Sequence, residues 1–148
     1  ILYYRIMRFK YQKELDFFIE NGCQLPKLFL PSSKEAYRFV FSKDIQKNHI
    51  PPHKLHPNRL ELQIRDGNVD LSGYALSNFE TLNQAATFYR YLRKSCKNVK
   101  KQIGDSLSFG VLKSKDGMIT ISDNRGHFDL YESEICDLNT TFNMIKAL

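Results

Sequence analysis

A chain of 148 residues has the length of one domain, and at that size it buries roughly 70% of the surface its unfolded form exposes, so it needs neither disulfides nor metal to hold a core. Hydrophobic residues make up 42%, charged residues 26% and aromatics 13%, which excludes a disordered tail. The net charge of +6 allows a basic face to attract phosphates at range, and no apolar run approaches the roughly 20 residues of a membrane helix.

In chain order, residues 1–21 lack Pro and Gly and carry apolar residues on roughly one helical face, with Gly22 placed as a left-handed C-cap; they predict a helix. Pro26 and Pro31 mark a loop. Ser32 and Glu35 form a capping box for a short turn. Tyr37 to Phe41 is aromatic, β-branched and alternating, which predicts a strand, and Ser42 caps a second turn over 43–47. The segment 48–59 holds three prolines and three histidines and reads as a stiff loop. Leu60, Leu62 and Ile64 alternate with polar residues ahead of Asp66-Gly67, a hairpin signal with its partner in 69–76.

Ser77 and Glu80 form a second capping box and open the clearest helix, 80–95, with Leu82, Ala86, Tyr89 and Leu92 on its apolar face. Leu107, Phe109 and Val111 predict a strand; Met118 to Ser122 and His127 to Tyr131 follow behind Gly-containing turns as a β-meander, with Phe109, Val111, Ile119, Ile121, Phe128 and Leu130 in the core. Residues 139–148 predict a final helix. Strands grouped by hairpins rather than alternating with helices give one α+β domain over 1–148. Its sheet is mainly antiparallel and ends in a C-terminal three-strand meander, the 80–95 helix covers one face, and helices stand at both termini. Ile1 rather than Met at the start is compatible with a processed product or a piece of a longer chain.

Cys23, Cys96 and Cys136 are odd in number and widely spaced, with no CxxC, so reduced thiols in a cytoplasmic setting are the simplest expectation. His49, His53 and His56 fall within eight residues, but prolines 51 and 52 prevent the two-histidine helix face of zinc proteases and no acid or thiol completes a set. No metal and no cofactor are therefore expected.

Three other segments carry candidate chemistry. In a strand, His127, Asp129 and Tyr131 share one face, where Asp129 can orient His127 as a general base. Leu71 to Phe79 runs from a strand through Ser77 and Asn78 into a helix N-terminus, a generic anion site, with Gly73 permitting close approach of a ligand. This strand–Ser–helix layout resembles the corresponding part of ADP-ribosyltransferase folds. The stretch has no Arg or Glu signature of its own, so no residue roles are carried over. Finally, Arg90, Arg93, Lys94, Lys97, Lys100 and Lys101 lie within twelve residues that contain no acid, interleaved with Tyr89 and Tyr91, as suits a polyanion.

These features support three readings. In one, a basic domain docks nucleic acid or an acidic protein surface through the 90–101 run. In another, a small effector- or toxin-like transferase or nuclease acts on a nucleotide or RNA through His127 and its neighbours. In the blandest, the chain is an interaction or structural domain of a larger assembly.

Overall fold

Period-two alternation organises the sheet. Along Lys34–Val40 (β1), Ala36, Arg38 and Val40 are buried on one face, and Tyr37 and Phe39 lie half-buried on the other. The computed structural model describes residues 7–148. Five further strands are Leu76–Phe79 (β2), Ser106–Leu112 (β3), Gly117–Ile119 (β4), His127–Glu132 (β5) and Asn143–Ala147 (β6). Their order in the sheet is β4-β5-β2-β1-β3-β6, and every pairing is antiparallel. The helices among the described residues are Gln12–Glu20 (α1), Pro52–Leu55 (α2), Pro57–Arg65 (α3), Leu82–Ser95 (α4), Val99–Gln102 (α5) and Leu138–Thr141 (α6). Helix accounts for 38% and strand for 25%, an α+β fold with a largely antiparallel sheet.

Both faces of the sheet are covered. On one face Ala36, Leu76, Leu112, Phe128 and Leu130 pack with Cys136, Leu138 and Phe142 from the segment around α6. On the other, α4 lays Ala85 against Phe79 and Leu107, and α1 brings Leu15 and Phe18 to Tyr74, Met118 and Tyr131. Each burial of a large apolar side chain contributes roughly 1.5–3 kcal/mol.

The sheet is not evenly knitted. β1 and β3 pair along the whole of Lys34 to Val40, but β1 and β2 pair only at Tyr37 opposite Phe79. Beyond that point the two central strands part, and the gap is filled by the Arg38 side chain.

Several sequence expectations give way to this topology. The N-terminal helix begins at Gln12; Phe9 makes an isolated bridge with Ser133, and residues 1–6 lie outside the described residues. The strand replaces the capped turn at 32–35, with Ser33 in the left-handed region at φ 49°. Segment 60–65 is helix rather than hairpin: Pro57 stands at the first position of α3, where its missing N–H costs nothing, and Leu62 and Ile64 are left exposed. Residues 71–74 form a 3₁₀ turn capped by Asp70. Thr81, not Ser77, caps the long helix, its hydroxyl accepting from the Gln84 N–H at 3.1 Å. Ser77 is thereby released to the strand.

The C-terminal strands are not one meander. β4 and β5 form a hairpin at one edge, while β3 sits between β1 and β6 on the far side. Ile121 falls past the end of β4 and is 79% exposed, and Phe109 and Val111 are only half-buried. The predicted terminal helix shortens to α6, and β6 closes the sheet as an edge strand.

Candidate functional site

The parting of β1 from β2 leaves Ser77 without a ladder partner on the β1 side. Arg38, 8% exposed, supplies one: a guanidinium N–H donates to the Ser77 carbonyl, and its Nε donates to His49 Nδ1 at 3.0 Å. The arginine that 71–79 lacks thus reaches Ser77 from the neighbouring strand. Burial draws the Arg38 guanidinium down to about 10, opposed by the Glu132 carboxylate and then by Cys136 and Asp129, so it remains a cation at neutral pH. Burial, reinforced by Arg38 and Lys10, pulls His49 down to about 3. His49 is therefore neutral and its Nδ1 is an acceptor.

A cleft of about 200 Å³ opens over this gap. Its lining includes three cations, Arg38, Lys47 and Arg59, with His49, His56 and Ser77. Phe39, Phe41 and Leu55 supply apolar wall; among the described residues no Asp or Glu lines it, and Asp44, outside the lining, pairs with Lys47 at 3.8 Å. The loop that roofs it is the proline- and histidine-rich segment: Pro52 and Pro57 start α2 and α3 and fix the path that carries Lys47, His56 and Arg59 to the rim.

On the far side of Ser77 lies the pair expected from the strand pattern. Ser77 stands opposite Asp129, and Phe79 opposite His127, in the β2–β5 ladder. The Ser77 hydroxyl lies 3.1 Å from His127 Nε2, which is also 3.6 Å from Asp129 Oδ1; His127 Nδ1 lies 3.9 Å from Asp123 Oδ2. Burial pushes the Asp129 carboxyl up, with His127 pulling the other way and Asp70 and Asp123 adding to the rise. Burial also acts to raise Asp123, but the N–H groups of His127 and Arg125 and the charges on those side chains outweigh it and hold the carboxylate low. Two acids of differing proton affinity thus flank one imidazole, which touches a serine hydroxyl.

Tyr131 does not belong to this set. It is 1% exposed and packs edge-on to Phe9 at 6.4 Å within the α1 core. Its face of the strand is covered by helices rather than by water, so the polar row ends at Asp129. Sequence reasoning placed His127 and Asp129 together and missed Arg38, because an arginine at an alternating strand position reads as solvent-facing. Ser77 was expected at an anion-binding helix N-terminus rather than beside His127, because a Ser three residues before a Glu reads as a cap.

The histidines of 49–56 diverge. His53 Nε2 lies 2.6 Å from the Asp70 carbonyl, and its ring packs on Gly73 where a side chain would collide. The approach that Gly73 permits is therefore made by His53 rather than by a ligand. Among the described residues no group of three His, Cys, Asp or Glu side chains is arranged to hold a metal.

Arg90, Arg93 and Lys94 on α4 and Lys97, Lys100 and Lys101 through α5 are all exposed. None takes part in an ion pair among the described residues. Compared with protein-family models, with curated proteins and with solved structures, the chain matches none. No helix among the described residues is long and apolar enough to cross a membrane.

Proposed function

We propose that this protein is an enzyme that acts on a nucleotide, bound with its anionic part in the cleft between β1 and β2. The observation that carries the reading is the cleft's composition: three cations, one of them buried between the central strands, with apolar wall and, among the described residues, no acid in its lining. An anionic group with an attached planar ring satisfies both halves of such a lining. Arg38 offers a charge-assisted donor held in place by Ser77 and His49, and Lys47 and Arg59 are the rim cations.

Ser77 joins recognition to chemistry. Its backbone is part of the cleft and its hydroxyl meets His127. His127, steadied by Asp123 and Asp129, serves as the general acid/base, moving a proton to or from the Ser77 hydroxyl or a hydroxyl bound in its place. Ser77 is assigned a polar contact to the ligand, its hydroxyl standing 3.1 Å from His127 Nε2. A dinucleotide offers two phosphates to the cations and planar rings to the apolar wall, which makes nicotinamide adenine dinucleotide the first compound to test.

The test is incubation with nicotinamide adenine dinucleotide, following nicotinamide release by chromatography. Turnover by the wild type, lost by at least 100-fold in His127→Asn with the fold retained, supports the reading, that being the usual size of a general acid/base contribution. Turnover that survives in His127→Asn removes His127 from the chemistry, and the absence of binding or turnover with any nucleotide removes the reading.

A further inference from the structure

A second groove, separate from the cleft, lies between α4 and the turn that joins β4 to β5. It encloses about 610 Å³ and is lined by Gln84, Thr87, Phe88 and Tyr91 from the helix and Asn124 and Arg125 from the turn. Its floor is aromatic. Phe88 rests on buried Phe79, ring centroids 5.1 Å apart, and Tyr91 continues the series at 6.3 Å with its plane 30° from that of Phe88. Arg125 lies over the Phe88 ring at 5.2 Å, and it also reaches Asp123 at 3.7 Å. Tyr91 is 63% exposed.

The turn is shaped to hold this arrangement. Gly126 adopts φ 76°, and the Gln84 carboxamide occupies the place where a β-carbon would stand. The turn therefore packs directly against the helix, and Asn124 and Arg125 form one wall of the groove.

On the helix side the surrounding charge is positive. Arg90 donates to the Thr87 hydroxyl at 3.2 Å, which puts its guanidinium at the rim. Lys94 follows Tyr91 by three residues and so neighbours it on the helix surface. Lys97, past the end of α4, and Lys100 and Lys101 on α5 add further exposed positive charge, Lys100 beside Asp105.

We infer that this groove binds single-stranded nucleic acid, one unpaired base stacking on the exposed Tyr91 ring beside the Arg125 guanidinium that covers Phe88, while the phosphate backbone follows Arg90, Lys94 and the α5 lysines. A planar π-face beside a guanidinium suits a base of any identity, and Asn124 lines the groove beside it. A duplex is excluded from the stacking step because its bases already stack on each other. The length of the basic track selects a strand over a free nucleotide.

The probe is a fluorescein-labelled oligouridine, with oligothymidine, a duplex of the same length, free uridine monophosphate and polyglutamate compared by anisotropy at low salt. Single strands should bind, duplex and monophosphate far more weakly. Tyr91→Ala should weaken strand binding roughly 10- to 100-fold, the loss of one base stack, with the salt dependence unchanged. Arg90→Gln combined with Lys94→Gln should weaken it and flatten the salt slope by about 1.4, roughly 0.7 for each phosphate contact on a single strand. Lys47→Gln combined with Arg59→Gln, in the other cleft, should leave it intact, so failure here and failure of the nucleotide-enzyme reading are separable. Equal binding of duplex, binding of monophosphate as tight as the oligomer, polyglutamate binding as tight as oligouridine, or a Tyr91→Ala variant that binds like wild type would each overturn the inference.

Discussion

His49 offers a quantitative check on the buried cluster. It accepts a hydrogen bond from Arg38 Nε at 3.0 Å and is held down to about 3 by burial, then by Arg38 and Lys10. Its ordinary value in an unfolded chain is about 6.5. The unfolded state thus takes up a proton that the folded state refuses, and only below that ordinary value. Above about pH 6.5 His49 contributes no pH dependence; between there and about pH 3 the folded state loses about 1.4 kcal/mol per pH unit. By about pH 4.5 the loss is roughly 2–3 kcal/mol, a large share of a domain's stability. His49→Gln keeps an acceptor for Arg38 and cannot titrate. Urea unfolding of both proteins from neutral pH downward should show the wild type losing roughly 2–3 kcal/mol more than the variant by about pH 4.5. A stability difference that stays constant with pH would show that His49 is hydrated in the folded state and would refute the placement of Arg38 against a neutral imidazole.

Leu130 on β5 is 0% exposed within the sheet's core face, so Leu130→Ala should cost about 2–5 kcal/mol by denaturant midpoint. Ile121→Ala, at a position 79% exposed, should change it by less than about 0.5 kcal/mol. Thr81→Ala removes the cap of α4 and should cost about 1 kcal/mol, whereas Ser77→Ala, outside the helix, should leave helix stability intact and act on ligand chemistry; thermal melts distinguish the two. Gly126→Ala places a β-carbon against Gln84 at φ 76° and should destabilise the turn and open the groove, read as a lowered melting temperature.

The α+β class and the antiparallel sheet were legible because alternation at 107–111 and 127–131 and the 3.6 period at 82–95 are strong local signals. Strand order was not. Adjacent strands with short turns predict a meander, but β3 is drawn between β1 and β6 by long-range pairing that no local pattern encodes. The helix at 57–65 was hidden because LELQIR alternates apolar and polar residues as a strand does, while the Pro57 start of α3 is the helical signal. His127 and Asp129 were legible through strand parity. Arg38 was not: its burial follows from the single pairing of β1 with β2 at Tyr37 and Phe79, a property of the assembled sheet. The six cations of 90–101 were legible as a solvent-facing run, but the stacking groove beside them needed the Asn124–Arg125 turn, brought to the helix from thirty residues away.

Isothermal titration of nicotinamide adenine dinucleotide, adenosine triphosphate and adenosine monophosphate into the wild type tests the central claim most directly, with Lys47→Gln/Arg59→Gln as the comparison. The account predicts a single site for at least one of them, weakened at least 10-fold in the double variant while the melting temperature holds, since each rim cation makes a charge-assisted contact of about 1.5–3 kcal/mol. No binding heat for any nucleotide, or binding unchanged when both rim cations are gone, would contradict it.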